Sequence, residues 1–315
     1  RAPPVAHLLR PTHDEEVPVG RSRTRTLGLC TAVAAVAIIG AMTDRAGDEP
    51  ADDRTEAPDA AADAVGAPGP HTLGAAVDAT RAVDRARVEL RTTVAGPDGP
   101  VDLVHRAHFT DGGMRAHAET DMSEVAAALE GAGQQLGGDF SRPTAIVVDG
   151  DTVYSQIGPM AESLGRSPDD WVSARLSDIV AVADAADNDT LSLVLDPLGP
   201  LDLLRHPVAE IDHVGDEEVR GTPTRHLRAE LDITGGGAPP PGTLEGRLAA
   251  VGLHRLPVDV WLDEAGVVRR LQLAVDRAGR LTTTFDVYDV GADITVERPD
   301  DAEVVTPGGA GDGDG

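Results

Sequence analysis

Apolar and polar residues alternate along much of the chain, the pattern of β-strands with one buried and one exposed face. In the stretch 85–95, Val88, Leu90, Thr92 and Val94 alternate with charged or polar residues. Glycine-containing turns separate many of these stretches, as antiparallel hairpins require. The pattern predicts strands at 85–95, 101–110, 114–121, 145–148, 152–157, 208–219, 222–233, 256–262, 267–275 and 281–288.

Two stretches have helical spacing instead. From 72 to 83, apolar residues recur at every third or fourth position. A second helix is predicted over 123–136, because Ser123 and Glu124 favour a helix N-terminus.

The long stretch 158–207 has no strand pattern and is predicted to be mostly helical or irregular. Trp171 and the leucine-rich piece 196–204 are expected to provide apolar cover for the sheet. Many hairpins with few helices indicate an α+β fold, in which helices lie on one side of a large antiparallel sheet.

The N-terminal part has the pattern of an export signal or a membrane anchor. A short basic segment, 1–26, precedes an uncharged apolar segment, 27–43. Its length, somewhat below the roughly 20 residues of a spanning helix, allows either a retained anchor or a signal cleaved near 39–41. A retained anchor would place the N-terminus in the cytoplasm and the rest outside; cleavage would give a secreted protein.

Cys30 is the single cysteine, so no disulfide forms within the chain. The sequence around it resembles a lipobox, but the hydrophobic run follows the cysteine rather than preceding it. Lipidation at Cys30 is therefore not expected.

Low-complexity segments flank the β-rich region. Residues 44–70 are rich in Asp, Ala and Pro, and the tail 301–315 contains a glycine-rich end, so both are predicted to be disordered. One extracytoplasmic domain, 71–300, remains between an acidic tether and this tail.

Charge narrows the range of partners. Acidic residues outnumber basic ones 54 to 27, giving a net charge of −27, and no lysine is present. Such a field repels nucleic acid, so no polynucleotide partner is expected. Aromatic residues make up only 2% of the chain, which leaves aliphatic side chains to build the core.

The sequence has no G-x-S-x-G, H-E-x-x-H, P-loop or Rossmann glycine motif, so an enzyme is not expected and no cofactor is predicted. His105, His108 and His117 lie on neighbouring predicted strands. His105 and His108 would point to opposite faces of their strand, which disfavours a shared metal site.

Four segments in order, 148–154, 221–227, 256–271 and 285–291, resemble the LolA-like extracytoplasmic lipid-binding domains. They are most similar to the actinobacterial LppX/LprA/LprF/LprG-type lipoproteins. The resemblance implies a curved antiparallel half-barrel that helices close on its concave side. It also implies an apolar cavity there for the acyl chains of a lipid or glycolipid.

The expected cavity lining consists of alternating apolar residues on several strands: Val88, Leu90, Val94, Leu256, Val258, Val260, Leu262, Leu271, Leu273 and Phe285. The alternative for these residues is a dry, packed core.

The sequence thus favours a lipid-binding or lipid-transfer protein tethered to the cytoplasmic membrane. A sensor or regulatory domain of envelope-stress signalling is the alternative, and a structural or adhesive surface domain is a third.

Overall fold

The computed structural model describes residues 71–96, 99–133, 138–161, 165–179, 196–235, 252–276, 280–301 and 304–305. The predicted N-terminal segments 1–26, 27–43 and 44–70 lie outside these residues and stay predictions. No helix among the described residues combines the length and the apolar composition that a bilayer crossing needs.

One sheet of twelve strands dominates the described residues. In chain order the strands are β1 (Ala86–Gly96), β2 (Gly99–Thr110), β3 (Arg115–Asp121), β4 (Thr144–Asp149), β5 (Thr152–Gln156), β6 (Trp171–Arg175), β7 (Val208–Val219), β8 (Thr222–Asp232), β9 (Arg255–Leu262), β10 (Val268–Asp276), β11 (Arg280–Tyr288) and β12 (Val304–Val305).

Their order across the sheet is β12-β6-β5-β4-β3-β2-β1-β11-β10-β9-β8-β7. β12 and β7 lie at opposite ends, so the sheet is not closed. Every neighbouring pair is antiparallel except β12 and β6, which are parallel. The predicted α+β class with a large antiparallel sheet is confirmed.

The α-helices α1 (His71–Arg81) and α2 (Ser123–Gly131) accompany the sheet. α1 agrees with the predicted helix and is held to β10 through Thr80. The Thr80 hydroxyl donates to the Ala76 carbonyl at 2.7 Å and accepts from the Val268 N–H at 2.9 Å.

α2 begins at the predicted residue, but the capping interaction differs from the prediction. The Asp121 carboxylate, rather than the Ser123 side chain, accepts hydrogen bonds from the Ser123 backbone N–H at 3.0 Å and its hydroxyl at 2.7 Å. The helix ends at Gly131, earlier than the predicted 136.

Two strands were not predicted. Trp171 begins β6, within a stretch expected to be helical or irregular. β12 lies beyond residue 300, in the segment 301–315 that the sequence assigns to a disordered tail. Both are short, and together they extend the sheet past β5.

The sheet has two faces, which we call inner and outer. The inner face carries the main core cluster, to which α1 contributes Leu73 and Val77, and the 3-10 helix Gly199–Arg205 contributes three buried leucines. The leucine-rich piece therefore covers the sheet as predicted.

A second apolar cluster lies on the same face, around α2. Val125 and Leu129 of the helix pack with Val101 and Leu103 of β2. Since Val101, Leu103 and Ala107 alternate along β2, all three project to the inner face. Ala107 belongs to the main core, so β2 runs from one cluster to the other.

The outer face is covered in part by the C-terminal segment. Val296 is buried against Val147, Tyr154 and Trp171 of the strands β4 to β6. The Arg115 side chain also donates to the Val296 carbonyl at 3.1 Å. Trp171 thus packs on the outer face of the sheet, whereas the leucine-rich piece covers the inner face.

Candidate functional site

The residues predicted to line a cavity all lie on the inner face. Across the middle of the sheet, Leu90 of β1 pairs with Phe285 of β11, Phe285 pairs with Leu271 of β10, and Leu271 pairs with Val260 of β9. Residues directly opposite one another on adjacent strands project to the same face. The alternation in the sequence therefore identified one continuous surface.

These residues divide into two groups by burial. Seven are at most 2% exposed and belong to the main core: Val88, Leu256, Val258, Val260, Leu262, Leu271 and Phe285. The other three, Leu90, Val94 and Leu273, are only half-buried. The first group packs as a core, and the second reaches a part of the face that is less completely covered. A lining role for either group stays a prediction.

Part of the inner face between the two clusters is lined by half-buried apolar residues of β1, β2, β10 and β11. We call it the inner-face patch, and its residues are Leu90, Val94, Val101, Leu103, Leu273, Val275 and Leu281. Leu90, Leu273 and Val275 border the main core, while Val101 and Leu103 border the α2 cluster.

The centre of the patch is the pair Val94 and Leu281, opposite one another on β1 and β11. Both are half-buried, and neither packs into either cluster as far as the described residues show. Leu281, Val275, Val101 and Leu103 were absent from the predicted lining, although each lies in phase with residues that were included.

Polar side chains lie on the same face, and two of them, Thr92 and Thr283, separate the patch residues Leu103 and Leu273. We call Thr92, Thr283, His105 and Thr120 the polar strip. The hydroxyl oxygens of Thr92 and Thr283 lie 3.3 Å apart, and His105 Nδ1 lies 3.0 Å from Thr120 Oγ1. His105 is directly opposite Leu90, which places its ring next to the patch.

His105 is the one ionisable member of the strip. Burial lowers its pKa to about 4, so its ring is neutral at pH 7. Its Nε2 atom is buried and has no hydrogen-bond partner among the described residues. A buried polar atom without a partner is costly and uncommon in folded proteins.

On the outer face, the buried carboxylate of Asp286 is paired with two arginines. Asp286 is 3% exposed and accepts two hydrogen bonds from Arg270, at 2.6 and 2.9 Å, and one from Arg220 at 2.7 Å. Burial acts to raise the pKa of Asp286, but the two arginines outweigh it and hold the pKa below its usual value.

A second outer-face cluster surrounds Trp261, which projects away from the inner-face residues Val260 and Leu262 of β9. The Trp261 and His226 rings stack with centroids 4.1 Å apart. His226 contacts Glu217 at 2.9 Å and Asp259 at 2.7 Å, and Trp261 Nε1 donates to Glu217 at 3.0 Å. Both ring nitrogens of His226 are thus occupied, and the cluster is a structural contact between β7, β8 and β9.

The three histidines considered for a metal site divide between the faces as predicted. His105 projects to the inner face, whereas His108 and His117 meet edge to face on the outer one, with ring centroids 5.1 Å apart. In the part of the chain that the structure describes, no three metal-ligating side chains are grouped to hold an ion.

A pocket of about 350 Å³ lies elsewhere, lined by residues of the segments 139–143, 156–161 and 166–169. Its wall includes Arg142 and Asp169, which form an exposed ion pair at 2.8 Å. None of the described patch residues lines this pocket. Four of its lining residues, Asp139, Arg142, Arg166 and Asp169, are charged, which disfavours an acyl chain as its ligand.

No family model matches the chain. A curated relative, an uncharacterized 31.2 kDa protein of Streptomyces griseus, is 24% identical over 194 residues. The match covers 56% of this chain, and the chain spans about 62% of the length of that relative.

Two solved structures of lipoproteins are similar to this chain. LprF from Mycobacterium bovis has a TM-score of 0.44 and 17% identity, over 74% of this chain and 99% of LprF. The lipoprotein LppX from Mycobacterium tuberculosis has a TM-score of 0.40 and 12% identity, over 72% of this chain and 97% of LppX. Both belong to the lipoprotein type that the sequence resembles. The fold of the present chain is established from its own strand order and register, described above.

Proposed function

We propose that this domain binds acyl chains of a lipid or glycolipid at the inner-face patch, without catalysis. The observation that carries the proposal is the half-burial of this aliphatic surface between two fully packed clusters. Contiguous exposed apolar surface on a soluble domain is uncommon and marks a binding site more often than chance.

The chemistry of the patch suits hydrocarbon chains. All seven of its residues are Val or Leu, so it offers neither a stacking platform for bases or sugars nor a charge for a phosphate. Each methylene transferred from water to such a surface contributes about 0.8 kcal/mol. Six methylenes would therefore contribute about 5 kcal/mol, before the cost of ordering the chain.

The predicted segments outside the described residues support the same role. An anchor or signal at 27–43 followed by the tether 44–70 would hold the domain, or release it, on the outer side of the cytoplasmic membrane. A flexible tether of this length would let the patch reach lipids at the membrane surface.

Lipid uptake by the full 315-residue chain tests the proposal, measured by native mass spectrometry after incubation with dioctanoylphosphatidylcholine. Leu281→Asp is expected to reduce binding at least about tenfold, because it places a charge in the patch. The neighbouring Thr282→Asp is the matched control, since Thr282 pairs with Thr93 on the outer face and should leave binding unchanged.

Thermal unfolding of both variants separates a binding defect from a folding defect. A wild-type chain that takes up no lipid, or equal loss of binding in both variants with unchanged unfolding temperatures, would contradict the proposal.

The alternative of a protein-binding sensor would use a different surface. β7 ends the strand order, so its outer edge is a candidate for strand addition by a partner. However, β7 contains register shifts at two places and acidic residues at Glu210, Asp212, Asp216, Glu217 and Glu218. Bulges and charges are the features that discourage edge pairing, so this edge is poorly suited to strand addition by a partner.

A further inference from the structure

The Nε2 atom of His105 is the feature of the inner face that the binding of hydrocarbon alone leaves unexplained. It is buried, and no described residue pairs with it. The ring is held by its other nitrogen, which lies 3.0 Å from Thr120 Oγ1 on the adjacent strand.

We propose that His105 Nε2 donates a hydrogen bond to an ester carbonyl of the bound lipid, and so fixes the position of the linkage between headgroup and chains. This inference rests on the proposed function, since it names the chemical class of the ligand at the same site. It makes the protein selective for ester-linked lipids.

The position of His105 supports this role. On β2 it lies between Leu103, which borders the α2 cluster, and Ala107, which belongs to the main core. Across the strands it faces Leu90 on one side and Thr120 on the other. A chain lying on Leu90 and Val94 would therefore pass beside the imidazole.

The protonation of the ring agrees with a neutral acceptor in the ligand. Burial lowers the pKa of His105 to about 4, so at pH 7 the ring has one N–H and one unprotonated nitrogen. When the Thr120 hydroxyl donates to Nδ1, the proton resides on Nε2, which becomes a donor. A neutral ring offers no net charge to a phosphate or a free carboxylate.

Among the polar atoms of a lipid, ester carbonyls lie closest to the hydrocarbon. A donor surrounded by Leu and Ala side chains suits such an acceptor better than the solvated groups of a head. Thr92 and Thr283, whose hydroxyls lie 3.3 Å apart in the next row of the same face, provide further polar contacts for a second ester.

Two lipids that differ only at the linkage test the inference. The full chain is titrated by isothermal calorimetry with dioctanoylphosphatidylcholine and with its di-O-octyl ether analogue, each as monomer. The wild-type chain is expected to bind the ester about five- to tenfold more tightly, the usual effect of one net hydrogen bond.

Variants at two histidines of β2 then assign the preference. His105→Leu removes the donor and is expected to bind both lipids equally, whereas His105→Gln retains an N–H and part of the preference. His108→Leu is the control, because His108 projects to the outer face and meets His117 there. This variant should prefer the ester over the ether as strongly as the wild type does.

The possible results separate this inference from the proposed function. Equal binding of ester and ether by the wild type would overturn the role of His105 while leaving acyl-chain binding intact, and so would an ester preference that persists in His105→Leu. A wild-type chain that binds neither lipid would overturn both.

Discussion

At the scale of single residues, the sequence predicted which side chains share a face but not which of them remain unsatisfied. Strand alternation alone places His105 and His108 on opposite faces, and the structure confirms it. Whether Nε2 of His105 finds a partner depends on Thr120, which comes from the next strand, and on every residue packed around it. Such contacts leave no local signal in the sequence.

The burial of His105 predicts a specific dependence of stability on pH. Its pKa is lowered to about 4 in the folded state and is about 6.5 in an unfolded chain. Between these values the unfolded chain binds more protons at this position, so the free energy of unfolding falls as the pH falls. We expect this group to contribute a loss of about 2 kcal/mol between pH 7 and pH 5.

Urea denaturation of the wild type and of His105→Leu at both pH values measures this contribution. Between pH 7 and pH 5, the free energy of unfolding should fall less in the variant than in the wild type, by the contribution of His105. The two proteins share all other titrating groups. An identical loss in the two proteins would mean that the ring of His105 is hydrated in the folded state.

At the scale of elements, the strands with clear alternation and a recognisable turn were predicted to within one or two residues. β6 was missed because it is short and its residues do not alternate between apolar and charged types. β12 consists of two residues and takes its structure entirely from pairing with β6. Hairpin strands were predicted because their apolar alternation and turn residues are local in the sequence. A short edge strand was not, because it forms only by pairing with its neighbour.

The hairpin between β7 and β8 shows how closely a turn is encoded. Both residues of its two-residue turn have positive φ, 47° at Arg220 and 82° at Gly221, as tight hairpin turns matching strand twist require. We expect Gly221→Ala to lower the free energy of unfolding by about 1 kcal/mol, since a Cβ is disfavoured in this conformation.

Gly215→Ala, in β7 of the same hairpin, is the matched control. A Cβ at Gly215 would meet no atom within 4 Å, and its φ lies outside the left-handed range, so the change should stay within about 0.5 kcal/mol. Chemical denaturation of the two variants makes the comparison; an equal effect at both positions would argue against a specific role of the turn.

At the scale of the whole molecule, the fold class could be predicted from the sequence. Which inner-face residues are buried in the core and which are only half-buried could not be predicted. The alternating stretches indicated a large antiparallel sheet, and hairpin turns indicated most neighbouring strands. The pairing of β1 with β11 joins residues about 190 positions apart, such as Thr92 and Thr283, which no local pattern encodes.

That pairing also creates the candidate site. It brings Val94 opposite Leu281, between the cluster formed by α1 and the one formed by α2. Sequence alternation identified both as apolar strand positions, but only the three-dimensional arrangement distinguishes them from the buried residues of the core. The predicted lining therefore included seven residues of the packed core and omitted Leu281.

Photo-cross-linking locates a bound lipid on this molecule without reference to any variant. The full chain is incubated with a phosphatidylcholine that carries a diazirine at mid-chain, irradiated, cleaved by trypsin and analysed by mass spectrometry. We expect the label on inner-face patch residues, above all Val94, Leu273 and Leu281. Label confined to the outer face, around Tyr154 or Trp261, or no label at all, would contradict acyl-chain binding at the inner face.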